Sequence, residues 1–196
     1  FTYTAPAATG KSTIIQELIN QTEEDTDVGE MVVVPLLKSR SLRPSEQDSS
    51  GEAMHISESE FMQLKESQQL FQSWHYDGAD YGTRLVDVVT ALQEGKTVLL
   101  ESVPEVMFNL NAAHTKKVTT IAIVPPEPRE RNIIERIIQR GFHTPESLGN
   151  RLLYAMQLFA QLPIFDNVIT NRQNRVSEAV DELRQQISTI QQEPEA

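Results

Sequence analysis

The stretch Ala5-Pro6-Ala7-Ala8-Thr9-Gly10-Lys11-Ser12-Thr13 constrains this chain more than any other. A short apolar strand, Phe1 to Thr4, runs into it, and a helix with apolar positions Ile14, Ile15, Leu18 and Ile19 leaves it. Strand, small-residue turn, Gly-Lys-Ser and helix form the context in which such a turn binds phosphate. Its backbone N–H groups converge on an anion, and the helix N-terminus adds positive potential. Lys11 then reaches the outer phosphates, and the Ser12 hydroxyl can hold a phosphate-bound Mg²⁺. Ala5 and Ala8 stand where such loops usually carry Gly. Ala is the smallest residue with a Cβ, so both fit provided φ stays negative. The competing reading is an ordinary strand-to-helix turn with a surface Lys.

The rest of the chain alternates strands with helices. Met31 to Leu37 reads as a buried strand, and Lys38 to Glu52 as a Ser-rich excursion. Met54 to Ile56 and Leu70 to Tyr76 have strand character. Ser57 to Glu60 reads as a helix start before Phe61 and Leu64. Asp77-Gly78-Ala79-Asp80 is turn chemistry. Leu85, Val88, Val89 and Leu92 form a helical stripe ending at Gly95. Strands follow at Thr97 to Glu101 and Val118 to Val124, and a helical stripe at Ile133, Ile134, Ile137 and Ile138. A helix over Pro145 to Leu162, a strand over Asn167 to Thr170 and a closing helix through Val176, Val180, Leu183 and Ile187 complete the pattern. This alternation predicts a parallel α/β sheet with right-handed crossovers.

The 196 residues, 39% apolar, suit one domain with inserts. No run of eighteen apolar residues is present, so no transmembrane helix is expected, and no leader pattern precedes the first strand. The chain starts at Phe1 rather than Met, as either a trimmed chain or an excised domain would. With no cysteine, disulfides and Cys-zinc sites are excluded, and a reducing, cytoplasmic setting fits. A net charge of −11 argues against nucleic acid and anionic membrane as partners. Against that background the cations cluster: Lys38, Arg40 and Arg43, then Arg129, Arg131, Arg136, Arg140 and Arg151. The four histidines, His55, His75, His114 and His143, show no metal-ligand spacing and read as surface or loop residues.

Taken in order, these motifs resemble the guanylate kinase family over nearly the whole chain. Ala5 to Thr13 looks like its phosphate loop, and Ser39-Arg40-Ser41-Leu42-Arg43 like the arginine pair that holds the acceptor phosphate. Phe71 to Trp74 and Gly78 to Thr83 resemble its acceptor-side hairpin with the Tyr-Gly-Thr signature. Gly95 to Glu101 resembles the strand ending in an acid, and Arg136, Arg140-Gly141 and Arg151 the lid arginines. Val168 to Asn171 resembles the last strand, with its Asn beside the donor adenine. The implied fold is α/β: a three-layer P-loop kinase with a parallel central sheet, an inserted α+β acceptor-binding lobe and a lid. The implied single domain divides into a core of about 1–35, 84–135 and 153–196, a lobe of about 36–83 and a lid of about 136–152.

The departures gather at the acceptor base. The family's guanine-reading Glu precedes a Trp, and here Ser73 precedes Trp74. Ala53 and Met54 stand where a phosphate-binding Tyr is expected, and Leu36 replaces a Ser. Of the family's Asp-x-Asp-x-x-Gly only the first acid survives, as Glu101.

The resemblance implies transfer of the γ-phosphate of Mg²⁺·ATP to GMP or a related monophosphate. Ala8, Thr9, Gly10, Lys11, Ser12, Thr13 and Asn171 would bind ATP. Arg40, Arg43, Ser73, Tyr81, Thr83 and Glu101 would bind the acceptor. Lys11, Arg136, Arg140 and Arg151 would stabilise the charge on the transferring group. Each also has a plain structural reading: Arg40 and Arg43 as solvated loop charges, Arg136 and Arg140 as a helix face paired with Glu130 or Glu135, Tyr81 and Trp74 as core, and Glu101 as a buried cap. The alternative function is a weak or inactive guanylate-kinase-like module that binds nucleotide or a protein partner.

Overall fold

The structure is a computed structural model describing residues 1–22, 29–40, 53–113, 118–141 and 144–192. Strand β1 (Thr2–Thr4), buried throughout, is the middle strand of the larger sheet. The helix that follows it after the loop is α1 (Lys11–Thr22). On one side β1 pairs in parallel with β7 (Thr97–Glu101), which in turn pairs with β2 (Met31–Val33). On the other it pairs with β8 (Thr120–Val124), and β8 with β9 (Asn167–Thr170), again in parallel.

Both faces of this sheet are covered, as parallel sheets require. On β8, Ile121 and Ile123 face α1 and the last helix, α7 (Val176–Gln192), where Ile14, Leu18, Val180, Leu183 and Ile187 are buried. Ala122 and Val124 face α4 (Pro104–Ala113) and α6 (Pro145–Gln161) through Met107 and Leu158. Helix α5 (Arg129–Arg140) packs on α6 through Ile133, Ile137 and Ala155. Each fully buried Ile or Leu contributes roughly 1.5–3 kcal/mol over exposure. This is the three-layer P-loop kinase fold.

A smaller sheet carries β3 (Leu36–Lys38), β4 (Ala53–His55), β5 (Leu70–Tyr76) and β6 (Ala79–Arg84), in the order β4-β3-β6-β5. Helix α2 (Glu58–Glu66) opens with the expected capping box between Ser57 and Glu60. Gly82 has no room for a Cβ, which would lie 2.8 Å from the Gln72 carbonyl and 3.1 Å from the Phe61 ring. That crowding is a physical reason for glycine in the Tyr-Gly-Thr signature.

Three expectations change. Met31 to Leu37 is not one strand: β2 belongs to the large sheet and β3 to the small one. Pro35 lies at the break and has no N–H to give to a ladder. Helix α4 fills a stretch left unassigned in the sequence. On α3 (Leu85–Gln93) only Val88 and Ala91 are buried, whereas Leu85, Val89 and Leu92 of the expected helical stripe are exposed. Among the described residues no helix is long and apolar enough to cross a membrane.

Candidate active site

Small residues at 5–10 let the chain turn sharply out of β1 and into α1. The turn closes on itself, with Thr9 Oγ1 donating to the Pro6 carbonyl at 2.8 Å. Asn171 and Arg136 hold it from behind. Asn171 Nδ2 donates to the Thr9 carbonyl at 2.6 Å, and Arg136 donates to the Thr9 and Asn171 carbonyls at 3.4 and 2.9 Å. With these carbonyls turned away from the cavity, the N–H groups of Ala8, Gly10, Lys11, Ser12 and Thr13 donate to no protein acceptor among the described residues. No acidic residue stands in the first turn of α1. The result is a set of free N–H dipoles at a helix N-terminus, suited to an anion.

Gly10 sits at φ +89°, and a Cβ there would lie 2.6 Å from Asn171 Nδ2, so both conformation and space demand glycine. Ala8 breaks the expectation of negative φ: it sits at +62°. An L-residue in that region is strained by about 1–2 kcal/mol. Part of the relief in Ala8→Gly is offset by the larger entropy glycine has in the unfolded chain. The variant is expected to be more stable by about 0.5–1 kcal/mol, read as a higher urea midpoint at unchanged m-value. A lower midpoint would show that the loop is unstrained.

The loop forms one wall of a cavity of about 590 Å³ that also reaches the smaller sheet. Lys11, Arg136, Arg140 and Arg151 line it from the larger sheet's loop and helices, and Lys38, Arg40 and Tyr81 from the smaller sheet and its flank, together with Glu101. Lys11 is ion-paired with Glu101. Burial opposes charge on Glu101, but Lys11, then Lys38 and Arg40, outweigh it, and its pKa lies below the usual carboxylate value. Arg40 Nε donates to the Tyr81 hydroxyl at 3.3 Å, and Tyr81 stacks on Trp74 with centroids 5.9 Å apart. Tyr154 and Thr4 share a hydroxyl hydrogen bond of 2.6 Å, and burial pushes the Tyr154 pKa up.

Some expected residues stand elsewhere. Ser73 does not line the cavity. Successive side chains on a strand point to opposite faces, and Trp74 and Tyr76 take the cavity side of β5. The residue of their parity is Gln72, which is buried. Its amide donates to Thr83 Oγ1 at 3.0 Å and to the Glu101 carbonyl at 2.8 Å, and its oxygen accepts from Ser102 Oγ at 2.7 Å. Thr83 is likewise buried one layer beneath the lining. Asn171 is a buried staple of the loop, with its Oδ1 unpartnered among the described residues. Arg136 grips the loop rather than pairing with Glu135, which instead takes Arg131 at 2.8 Å. Arg140 and Ser12 have no protein partner among the described residues. Arg43, His114 and His143 lie outside the described residues. His75 is an exposed partner of Asp80, while His55 Nδ1 meets the Arg40 carbonyl at 2.8 Å. Gln72, Tyr76, Ser102 and Tyr154 had no local signal as site residues, because only tertiary pairing brings them together.

The family model for guanylate kinase matches residues 3–190. A guanylate kinase of Bordetella pertussis is 29% identical over 188 residues, covering 96% of this chain and 82% of its own. One from Bacillus cereus is 30% identical over 169 residues, covering 86% and 78%. The crystal structure of guanylate kinase from Anaplasma phagocytophilum superposes with a TM-score of 0.75 at 17% identity, covering 98% of this chain and 86% of its own. With strand order, phosphate loop and whole-chain similarity in agreement, this chain belongs to the guanylate kinase family.

Proposed function

We propose that the protein transfers the γ-phosphoryl group of Mg²⁺·ATP to a nucleoside monophosphate, GMP or a close relative. The observation that carries this reading is that one cavity is lined both by a nest of free N–H groups with Lys11 and by Arg40 with Tyr81. Phosphoryl transfer needs two phosphates held in line and charge neutralised between them, with little covalent help. Residues of about 36–83 would carry the acceptor. Residues 136–152 would act as the lid, bringing Arg140 and Arg151 onto the γ-phosphate and excluding water that could compete as acceptor.

The oxygen donors at the loop suit Mg²⁺, which keeps most of its waters and takes one or two protein oxygens beside the phosphates. The exposed Ser12 hydroxyl in the first turn of α1 and the Glu101 carboxylate are such donors. When bound, the ion neutralises charge shared between the β- and γ-phosphates.

Arg40→Ala is expected to raise KM for the monophosphate by about ten- to a hundredfold, the worth of one or two charge-assisted hydrogen bonds. KM for ATP should change little, and equal losses for both substrates would contradict the division of the cavity. The reading as a whole is tested by thermal denaturation with Mg²⁺·ATP and, separately, with each of four monophosphates. At a hundred times Kd each true substrate stabilises by about 2.7 kcal/mol, a rise of roughly 5–10 °C for a chain of this size. A shift with ATP alone would leave a nucleotide-binding module, and no shift with either would overturn the proposal.

A further inference from the structure

Arg151 is the buried cation of the cavity, with 7% of its side chain exposed. A guanidinium stays charged when buried, so it requires an anionic partner. That partner is Asp77, which lies 74 residues away in the turn that joins β5 to β6. Arg151 Nη2 donates to Asp77 Oδ2 at 3.1 Å, and Arg151 Nε to Ser147 Oγ at 3.1 Å. Ser147 Oγ donates in turn to the same Oδ2 at 2.9 Å, and Asn150 Nδ2 to Oδ1 at 3.4 Å. Ser147 is itself fixed in the first turn of α6 by the Thr144 cap. Arg151 Nη1 has no protein acceptor among the described residues, and the guanidinium lines the cavity with Lys11 and Arg140.

The chain aims Asp77 there by local means. Asp77 and Gly78 are the two central residues between paired Tyr76 and Ala79, and both have positive φ, +50° and +76°. A turn of this kind takes Asn-Gly or Asp-Gly equally well. Only Asp supplies a charge, so turn chemistry alone does not explain the residue. Tyr76 beside it packs on Tyr154 of α6, with centroids 5.4 Å apart.

We propose that Asp77 is the positioning residue for Arg151: the tip of the β5–β6 hairpin orients the guanidinium so that its remaining N–H groups face the transferring phosphate. The turn that carries Asp77 joins β5 to β6, the strand whose Tyr81 meets Arg40, so the part of the molecule proposed to carry the acceptor would set the orientation of Arg151. This rests on the phosphotransfer reading above. The opposite relation has a distinct signature. Were Asp77 a competitor that keeps Arg151 from phosphate, removing its charge would raise activity and lower KM for ATP.

The test uses Asp77→Asn, which keeps the turn and loses the charge, with Ser147→Ala as a milder variant and Arg151→Ala as reference. Steady-state kcat and both KM values are measured for each, and for Asp77→Asn/Arg151→Ala. The expected result is kcat reduced by about 10- to 100-fold in Asp77→Asn, the scale of a misplaced catalytic group, with both KM values within about twofold. Ser147→Ala should fall in the same direction by less, and the double variant should be no slower than Arg151→Ala alone. Wild-type or raised kcat in Asp77→Asn, or losses that multiply in the double variant, would overturn the proposal while leaving the kinase reading in place. A wild-type chain inactive with every monophosphate would overturn the reading itself and the proposal with it.

Discussion

Lys11→Ala should reduce phosphoryl transfer by on the order of 10²–10³-fold in kcat, about 2.7–4 kcal/mol of transition-state stabilisation. Lys11 opens α1 and lines the cavity beside the N–H nest, where the proposed transfer would build charge. A neutral methyl cannot replace it, and no other residue of that turn is cationic. The fold should survive. The pair Lys11 makes with Glu101 is partly open to solvent, at 18% and 31% side-chain exposure. With Lys38 and Arg40 still beside the carboxylate, its loss should lower stability by about 1–3 kcal/mol, the cost of leaving a partly buried group short of one partner. Steady-state activity near that of the wild type would remove Lys11 from the mechanism.

The same variant has a signature in pH that does not depend on turnover. Burial alone would raise the Glu101 pKa, and Lys11 is the foremost charge that reverses this. A carboxyl with a depressed folded pKa contributes stability above its unfolded pKa and loses it as pH falls through the folded value. The stability difference between wild type and Lys11→Ala should thus be largest where the carboxyl is ionised in both proteins and shrink as pH falls and the variant's carboxyl takes up its proton first. A difference that grows on acidification would place the charge pair elsewhere.

Acceptor choice is the second large effect. A guanine edge offers two adjacent N–H donors, which a carboxylate accepts as a pair. On β5, Trp74 and Tyr76 line the cavity and Gln72 lies buried beneath them on the same face, and none of the three carries one. The missing charge-assisted pair is worth roughly 1.5–3 kcal/mol, or about ten- to a hundredfold in discrimination. Wild-type preference for GMP over AMP should be weak by that margin. Gln72→Glu should restore it, and Ser73→Glu, on the opposite face, should not. The Gln72 amide donates to the Glu101 carbonyl, and a carboxylate cannot, so Gln72→Glu should also lose about 1–3 kcal/mol of stability. The measurement is kcat/KM for four monophosphates on the three proteins. Restored preference in Ser73→Glu alone would show that the face assignment of β5 is reversed.

That pair of variants shows what was legible in the chain and what was not. The phosphate loop and its flanking strand and helix could be read because every signal is local: small residues, Gly-Lys-Ser and an apolar helical stripe within twenty positions. The Asp77-Gly78 turn and the Ser57 cap were legible for the same reason. The face of a strand was not. A shift of one residue turns Ser73 into Gln72, and only the register against Tyr81 and Thr83 decides between them. Met31 to Leu37 has one apolar pattern but serves two sheets, a fact of topology rather than periodicity. Arg151 was legible as a cation near phosphate. Its partner was not, since the turn that supplies Asp77 is explained equally well without the charge.

The central claim is phosphoryl transfer between two nucleotides, and ³¹P NMR of the protein with ATP, Mg²⁺ and each monophosphate in turn tests it most directly. The expected result is equal formation of ADP and a nucleoside diphosphate, with no inorganic phosphate released. ATP left intact with all four monophosphates, or hydrolysed to ADP and inorganic phosphate with the monophosphates unchanged, would contradict it.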